Sequence, residues 1–204
     1  MPACFNDFNL PAFWDDSVYA MEEYVMPFPS DELIRSVETE LGYRLPDSYI
    51  TLMKLHNGGI PVNTCFPTRK KTSWADDHVA IEAILGIGRS RNYSLCGGAG
   101  NQLMLGEWDY PRIGIYLCPC PSAGHDIVML DYRKCGPQGE PAVVHVDQEN
   151  DYRITFLARD FESFVRGLVH QDIFDAEEMA QSPIRKMVTP VVRQLKSWFR
   201  FSQR

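Results

Sequence analysis

The stretch LPDSYITLMKLHNGG, residues 45–59, reads as one short helix with a proline at its entrance and two glycines at its exit. Pro46 suits a first helical turn, where its missing N–H costs nothing. Tyr49, Leu52, Met53 and His56 recur at helical spacing on one face, and Gly58-Gly59 stops the helix. Just upstream, Ser30 is a good N-cap, with Asp31 and Glu32 in the positive first turn. Leu33, Ile34, Val37 and Leu41 follow at helical spacing, and Gly42 stands where a left-handed terminating residue belongs. Two such helices joined by a short turn form an αα-hairpin whose apolar stripes need a third element to cover them. Asn57-Gly58-Gly59 then turns the chain into Ile60-Pro61, and the loop over residues 61–77 becomes available for contacts.

Working outward, the period changes near residue 79. HVAIEAILGIG alternates Val79, Ile81, Ala83 and Leu85, which predicts a half-buried strand. Residues 88–106 are rich in glycine and predict a long loop. Three β-like runs follow at 112–118, 126–133 and 142–147, with a weaker one at 152–158. The intervals between them are rich in turn formers, so the strands should pair as antiparallel hairpins. Asp160 caps a last helix carrying Phe161, Phe164, Val165 and Leu168 on one face. Upstream, residues 18–25 look helical, ended by Pro27 and Pro29. Helices, then a strand meander, then a helix argue for an α+β fold: an antiparallel-rich sheet with helices packed mainly on one face. The expected organisation is an N-terminal extension over 1–29, an α+β domain over 30–170, and a basic helical extension over 171–204.

The chain has 204 residues and a net charge of −7, a length that suits one domain of roughly 150 residues with extensions. After Glu178 there is no further acid but six Lys and Arg, so the residues before them carry −13. In that tail Val188, Val191, Val192, Leu195, Trp198 and Phe199 interleave with the bases, as in a helix that docks on an acidic body or a membrane surface. The acidic balance argues against direct nucleic-acid binding, which needs a basic face, and favours a basic protein partner. No segment approaches the roughly 18 apolar residues of a membrane span, and the N-terminus has no basic region of the secretory type. A cytoplasmic location is therefore expected, with all six cysteines reduced.

Catalytic signatures are missing. There is no phosphate-binding loop, nucleophile elbow or zinc-protease helix. Gly97, Gly98 and Gly100 make a weak phosphate cradle, since no strand clearly precedes them and no helix clearly follows. Cys118 and Cys120 are one residue apart, which is not a usual metal spacing, even with Cys135 and His125 added. No metal and no cofactor are expected. His125 and Asp126 are neighbours and should point to opposite faces of a strand, whereas His145 and Asp147 share a face. That pair is the best acid–base candidate, the plainer alternative being exposed polar strand positions. The run from Trp74 to His78 is acidic and reads as a solvated turn or a weak cation site.

The order of these motifs resembles the SUKH superfamily, which includes fungal regulators of cell-wall synthesis and bacterial immunity proteins. The resemblance rests on Leu45-Pro46 through Asn57-Gly58-Gly59, on Gly124-His125-Asp126 opening the strand to Asp131, on Gly139-Glu140-Pro141 before AVVHVDQE, and on Leu157-Ala158 with Phe161 to Val165. It covers about residues 30–169. It implies a non-enzymatic protein-binding domain, foremost an immunity protein neutralising a basic toxin domain. A regulatory scaffold of the same fold, or a hydrolase using His145 and Asp147, are the alternatives; the sequence leaves the oligomeric state open. The expected contact residues are acids in loops and strand turns, Asp76, Asp77, Glu107, Asp109, Glu149 and Asp151, with Trp74 and Trp108 as aromatic anchors.

Overall fold

A computed structural model describes residues 4–175. After a 3-10 turn at Leu10–Ala12, the body runs β1 (Trp14–Asp15), α1 (Val18–Glu23), α2 (Asp31–Leu41) and α3 (Asp47–Met53). Then come β2 (Ile60–Pro61), β3 (Cys65–Pro67), β4 (His78–Ala80) and α4 (Asn101–Gly106). It closes with β5 (Gly114–Pro119), β6 (Asp126–Asp131), β7 (Ala142–Asp147), β8 (Arg153–Ala158) and α5 (Phe161–Gly167). The last four strands form an antiparallel meander in the order β5-β6-β7-β8, while β1-β2 and β3-β4 are separate antiparallel pairs. The α+β expectation holds. His170 opens a second unit, whose described part, 170–175, contains a turn in which the Asp172 N–H donates to His170 Nδ1. The predicted basic helix lies outside the described residues beyond 175.

The helix termini form as their residues dictate. Ser30 Oγ accepts the Leu33 N–H at 3.2 Å, and Gly42 ends α2 at φ 78°. Asp160 accepts the Ser163 N–H at 2.7 Å to start α5. Tyr49, Leu52 and Met53 of α3 are fully buried, and Tyr49 meets Phe161 of α5 edge-on with ring centroids 5.2 Å apart. Its hydroxyl donates to the Leu85 carbonyl.

The opening stretch ends in a junction. Asn57 is buried and uses its whole amide: Nδ2 donates to the carbonyls of Pro27 (2.8 Å) and Ile87 (3.0 Å), and Oδ1 accepts the Ile87 N–H (2.8 Å). Gly58 follows at φ 86°, and a side chain there would strike the Tyr24 carbonyl at 2.6 Å. The helix therefore places an asparagine that ties three chain segments together.

Two expectations are corrected. Residues 79–87 do not form an alternating strand: only His78–Ala80 is β, and every residue of 79–87 except Glu82 is buried. This segment spends its N–H groups on several neighbours, Ile81 on Thr64, Glu82 on Pro119, Ile84 on Gly59 and Leu85 on Leu117. A period of two has no single face to record in such a path. Second, residues 88–106 are not all loop, because α4 follows the glycines. Gly100 at its N-cap offers no side-chain acceptor, so the usual start signal is missing. Strands β5 and β6 are also buried along their full length, so both of their faces are covered.

Candidate functional site

The turn after β7 gathers the loops expected to carry contacts. Asp147, the last residue of β7, is fully buried. It accepts the Ser73 N–H (2.9 Å), the Ser73 hydroxyl (2.7 Å) and the Asn150 amide (2.7 Å). Burial opposes its charge, but the Ser73 hydroxyl and N–H, then Asn150, outweigh it and hold the carboxyl below its usual range. Arg153 adds a 2.8 Å bond to the Lys71 carbonyl. The loop bearing Trp74, Asp76 and Asp77 is thereby fastened to the β7–β8 turn.

The second loop reaches the same turn from another side. Trp108 packs on Gly124, where a Cβ would lie 2.9 Å from its ring, and stands edge-on to His125 at 6.3 Å. His125 Nδ1 lies 2.7 Å from Glu149 Oε1, and its carbonyl accepts the Gln148 N–H. The Tyr152 hydroxyl donates to the Trp108 carbonyl at 3.0 Å, and Tyr110 closes the group by donating to the Gly124 carbonyl at 2.6 Å. Glu107, Trp108 and Asp109 thus adjoin Glu149 and Asp151.

The three acidic groups are not equivalent. Asp76 lies 2.8 Å from Lys71 Nζ, which offsets its charge, and Asp77 lies 2.8 Å from His78 Nδ1. Glu107, Asp109 and Asp151 make no ion pair among the described residues and are exposed. Trp74 is 39% exposed and Trp108 is half-buried; neither is a plain core residue. Asp109, Ala123, Asp151 and Tyr152 all adopt left-handed backbone at φ 53–55°. Non-glycine residues held there cost about 1 kcal/mol or more each, so this rim is shaped against local preference. Sequence reading missed that concentration of strain, as it missed His125, Tyr110 and Tyr152 as the supports between the loops.

The proposed acid–base pair is separated. His145 and Asp147 share a face of β7 but take different partners: His145 Nε2 lies 2.6 Å from Asp126 Oδ2, while Asp147 is consumed by Ser73 and Asn150. Both are fully buried, which corrects the exposed alternative and leaves no substrate access at either side chain. Asp126 bonds across the sheet and its neighbour His125 turns to Glu149, as opposite-facing neighbours should. Of the cysteines weighed as metal ligands, Cys118 and Cys120 are buried and Cys135 is exposed; burial pushes the thiols of Cys118 and Cys120 well above the usual range.

Among the described residues no helix is long and apolar enough to cross a membrane. The family model described as SUKH_6, SMI1-KNR4 cell-wall, matches residues 31–165, well over half the chain. No curated protein matches the sequence.

Proposed function

The chain belongs to the SMI1-KNR4 cell-wall family, and on that footing we propose that it is a non-enzymatic protein-binding module whose contact surface is the rim around the β7–β8 turn. Membership supports a protein-interaction role in general. The single observation that carries the finer reading is the convergence of two acidic loops, distant from each other in sequence, on the acidic β7–β8 turn. Glu107, Asp109, Glu149 and Asp151 supply a negative field that speeds encounter with a cationic partner. Trp108 and Trp74 supply large apolar area beside it, the kind of side chain that dominates interface energy.

The partner class that fits is a basic protein domain, and the specific role we propose is immunity: binding and neutralising a cognate toxin in the cytoplasm. The test is capture of partners by the full chain in its native cell, followed by co-production of the captured protein with and without this chain. The expected result is a basic protein that arrests growth alone and not when co-produced. A captured partner that is harmless alone favours the regulatory-scaffold reading; a toxic partner still toxic beside an equal amount of this chain contradicts neutralisation. A toxin gene immediately upstream of the coding sequence separates the two roles independently.

A further inference from the structure

Beneath that rim lies a group of side chains that protein binding does not use. Cys120, which follows β5, Asp126, which opens β6, and His145 in the middle of β7 are each no more than 2% exposed. One ligand atom from each, a thiol sulfur, a carboxylate oxygen and an imidazole nitrogen, lies within 4.8 Å of the others. The β5–β6 turn and the β6–β7 register bring them together, so their spacing along the chain shows nothing. The set is also incomplete as it stands: Asp126 Oδ1 and His145 Nδ1 are buried and have no hydrogen-bond partner. Two orphaned polar atoms in one buried cluster are unusual, because buried polar groups are nearly always hydrogen-bonded.

From this geometry we infer that Cys120, Asp126 and His145 form a zinc site. Two arguments single out that ion, and a third favours a metal in general. A mixed nitrogen, oxygen and sulfur donor set suits zinc and not the all-oxygen preference of calcium or magnesium. A thiolate and a carboxylate with a neutral imidazole carry −2, which cancels the charge of Zn²⁺, so the filled site is neutral where a net buried charge would be costly. The lone pairs of otherwise unpartnered atoms also become available to a metal. Binding forms dative bonds from sulfur, oxygen and nitrogen to zinc, and the Cys120 thiol proton leaves to solvent. Asp147 faces Asp126 across the strands, but its oxygens are held by Ser73 and Asn150, so it stays outside the set. Cys118 is absent from it too, so the one-residue spacing of the two cysteines does not bear on the site.

The experiment uses the full chain, stripped of metal by chelator and titrated first with cobalt(II), whose thiolate charge-transfer absorption reports a sulfur ligand, and then with zinc. The expected outcome is saturation at about one metal per chain, displacement of cobalt by zinc, and a melting temperature raised by zinc through mass action. Cys118→Ser should keep the cobalt band. Asp126→Asn, which preserves shape, should weaken zinc binding at least about tenfold, and Cys120→Ser should abolish the band. A folded parent chain with no thiolate–cobalt band overturns the site, as does a band that survives Cys120→Ser or an affinity unchanged by Asp126→Asn.

Discussion

Asn57 makes three hydrogen bonds from one amide, two of them fully buried. Asn57→Ala would leave two carbonyls and one N–H without their partner, each worth roughly 1 kcal/mol or more when buried. We expect a loss of about 3 kcal/mol in urea unfolding at unchanged slope; a loss under 1 kcal/mol would show that water or a backbone shift replaces the amide. Asp160 provides a second test, this time with a pH signature. Burial opposes its charge, but the hydroxyl and N–H of Ser163, with Arg159, outweigh it and hold the carboxyl below its ordinary range. A carboxyl depressed by folding adds stability that is complete above its unfolded value, about 3.9, and fades as pH falls through the folded value. Asp160→Ala should therefore cost about 1 kcal/mol near neutrality, and the gap to the parent should narrow under acid. A gap constant down to strong acid would assign the loss to packing alone.

At the scale of elements, the rim depends on supports more than on the acids it displays. Gly124 sits at φ 96° with the Trp108 ring where a Cβ would go. Gly124→Ala should displace Trp108 while sparing the meander core, which near-UV circular dichroism or tryptophan fluorescence would register as an altered Trp108 environment at nearly unchanged far-UV signal. Unaltered tryptophan spectra would contradict the packing. The elements that carried their own local signals were legible: Ser30 and Gly42 bracket α2, Asp160 starts α5, and turn formers separate the four strands of the meander. Elements specified by remote partners were not. α4 begins at an uncapped glycine, and Asn101 turns its amide to the Leu95 and Tyr116 carbonyls. Residues 79–87 have burial without period, because they bond to neighbours on several sides. For the site, the acids and tryptophans could be picked as loop residues, but their meeting at the β7–β8 turn could not, since Ser73 and Asp147 are 74 positions apart. The same holds for Cys120, Asp126 and His145, which only strand pairing assembles.

At the scale of the whole molecule, the net charge of −7 matters less than where its uncompensated part sits. Asp76 is ion-paired with Lys71, whereas Glu107, Asp109 and Asp151 stand without ion pairs among the described residues. Charge reversal should therefore act unequally: reversing the four acids around Trp108 and the β7–β8 turn, three of them without an ion pair, should slow partner association more than Asp76→Lys with Asp77→Lys. The central claim is that a basic partner docks on this rim under electrostatic steering. Its most direct test is the association rate constant of the captured partner with the parent chain and with the Glu107→Lys, Asp109→Lys, Glu149→Lys, Asp151→Lys variant, at low and at physiological salt. The account predicts that the variant associates at least about tenfold more slowly at low salt, and that the gap shrinks as the screening length falls to roughly 8 Å at physiological ionic strength. Equal association rates at low salt, with the variant folded, would contradict it.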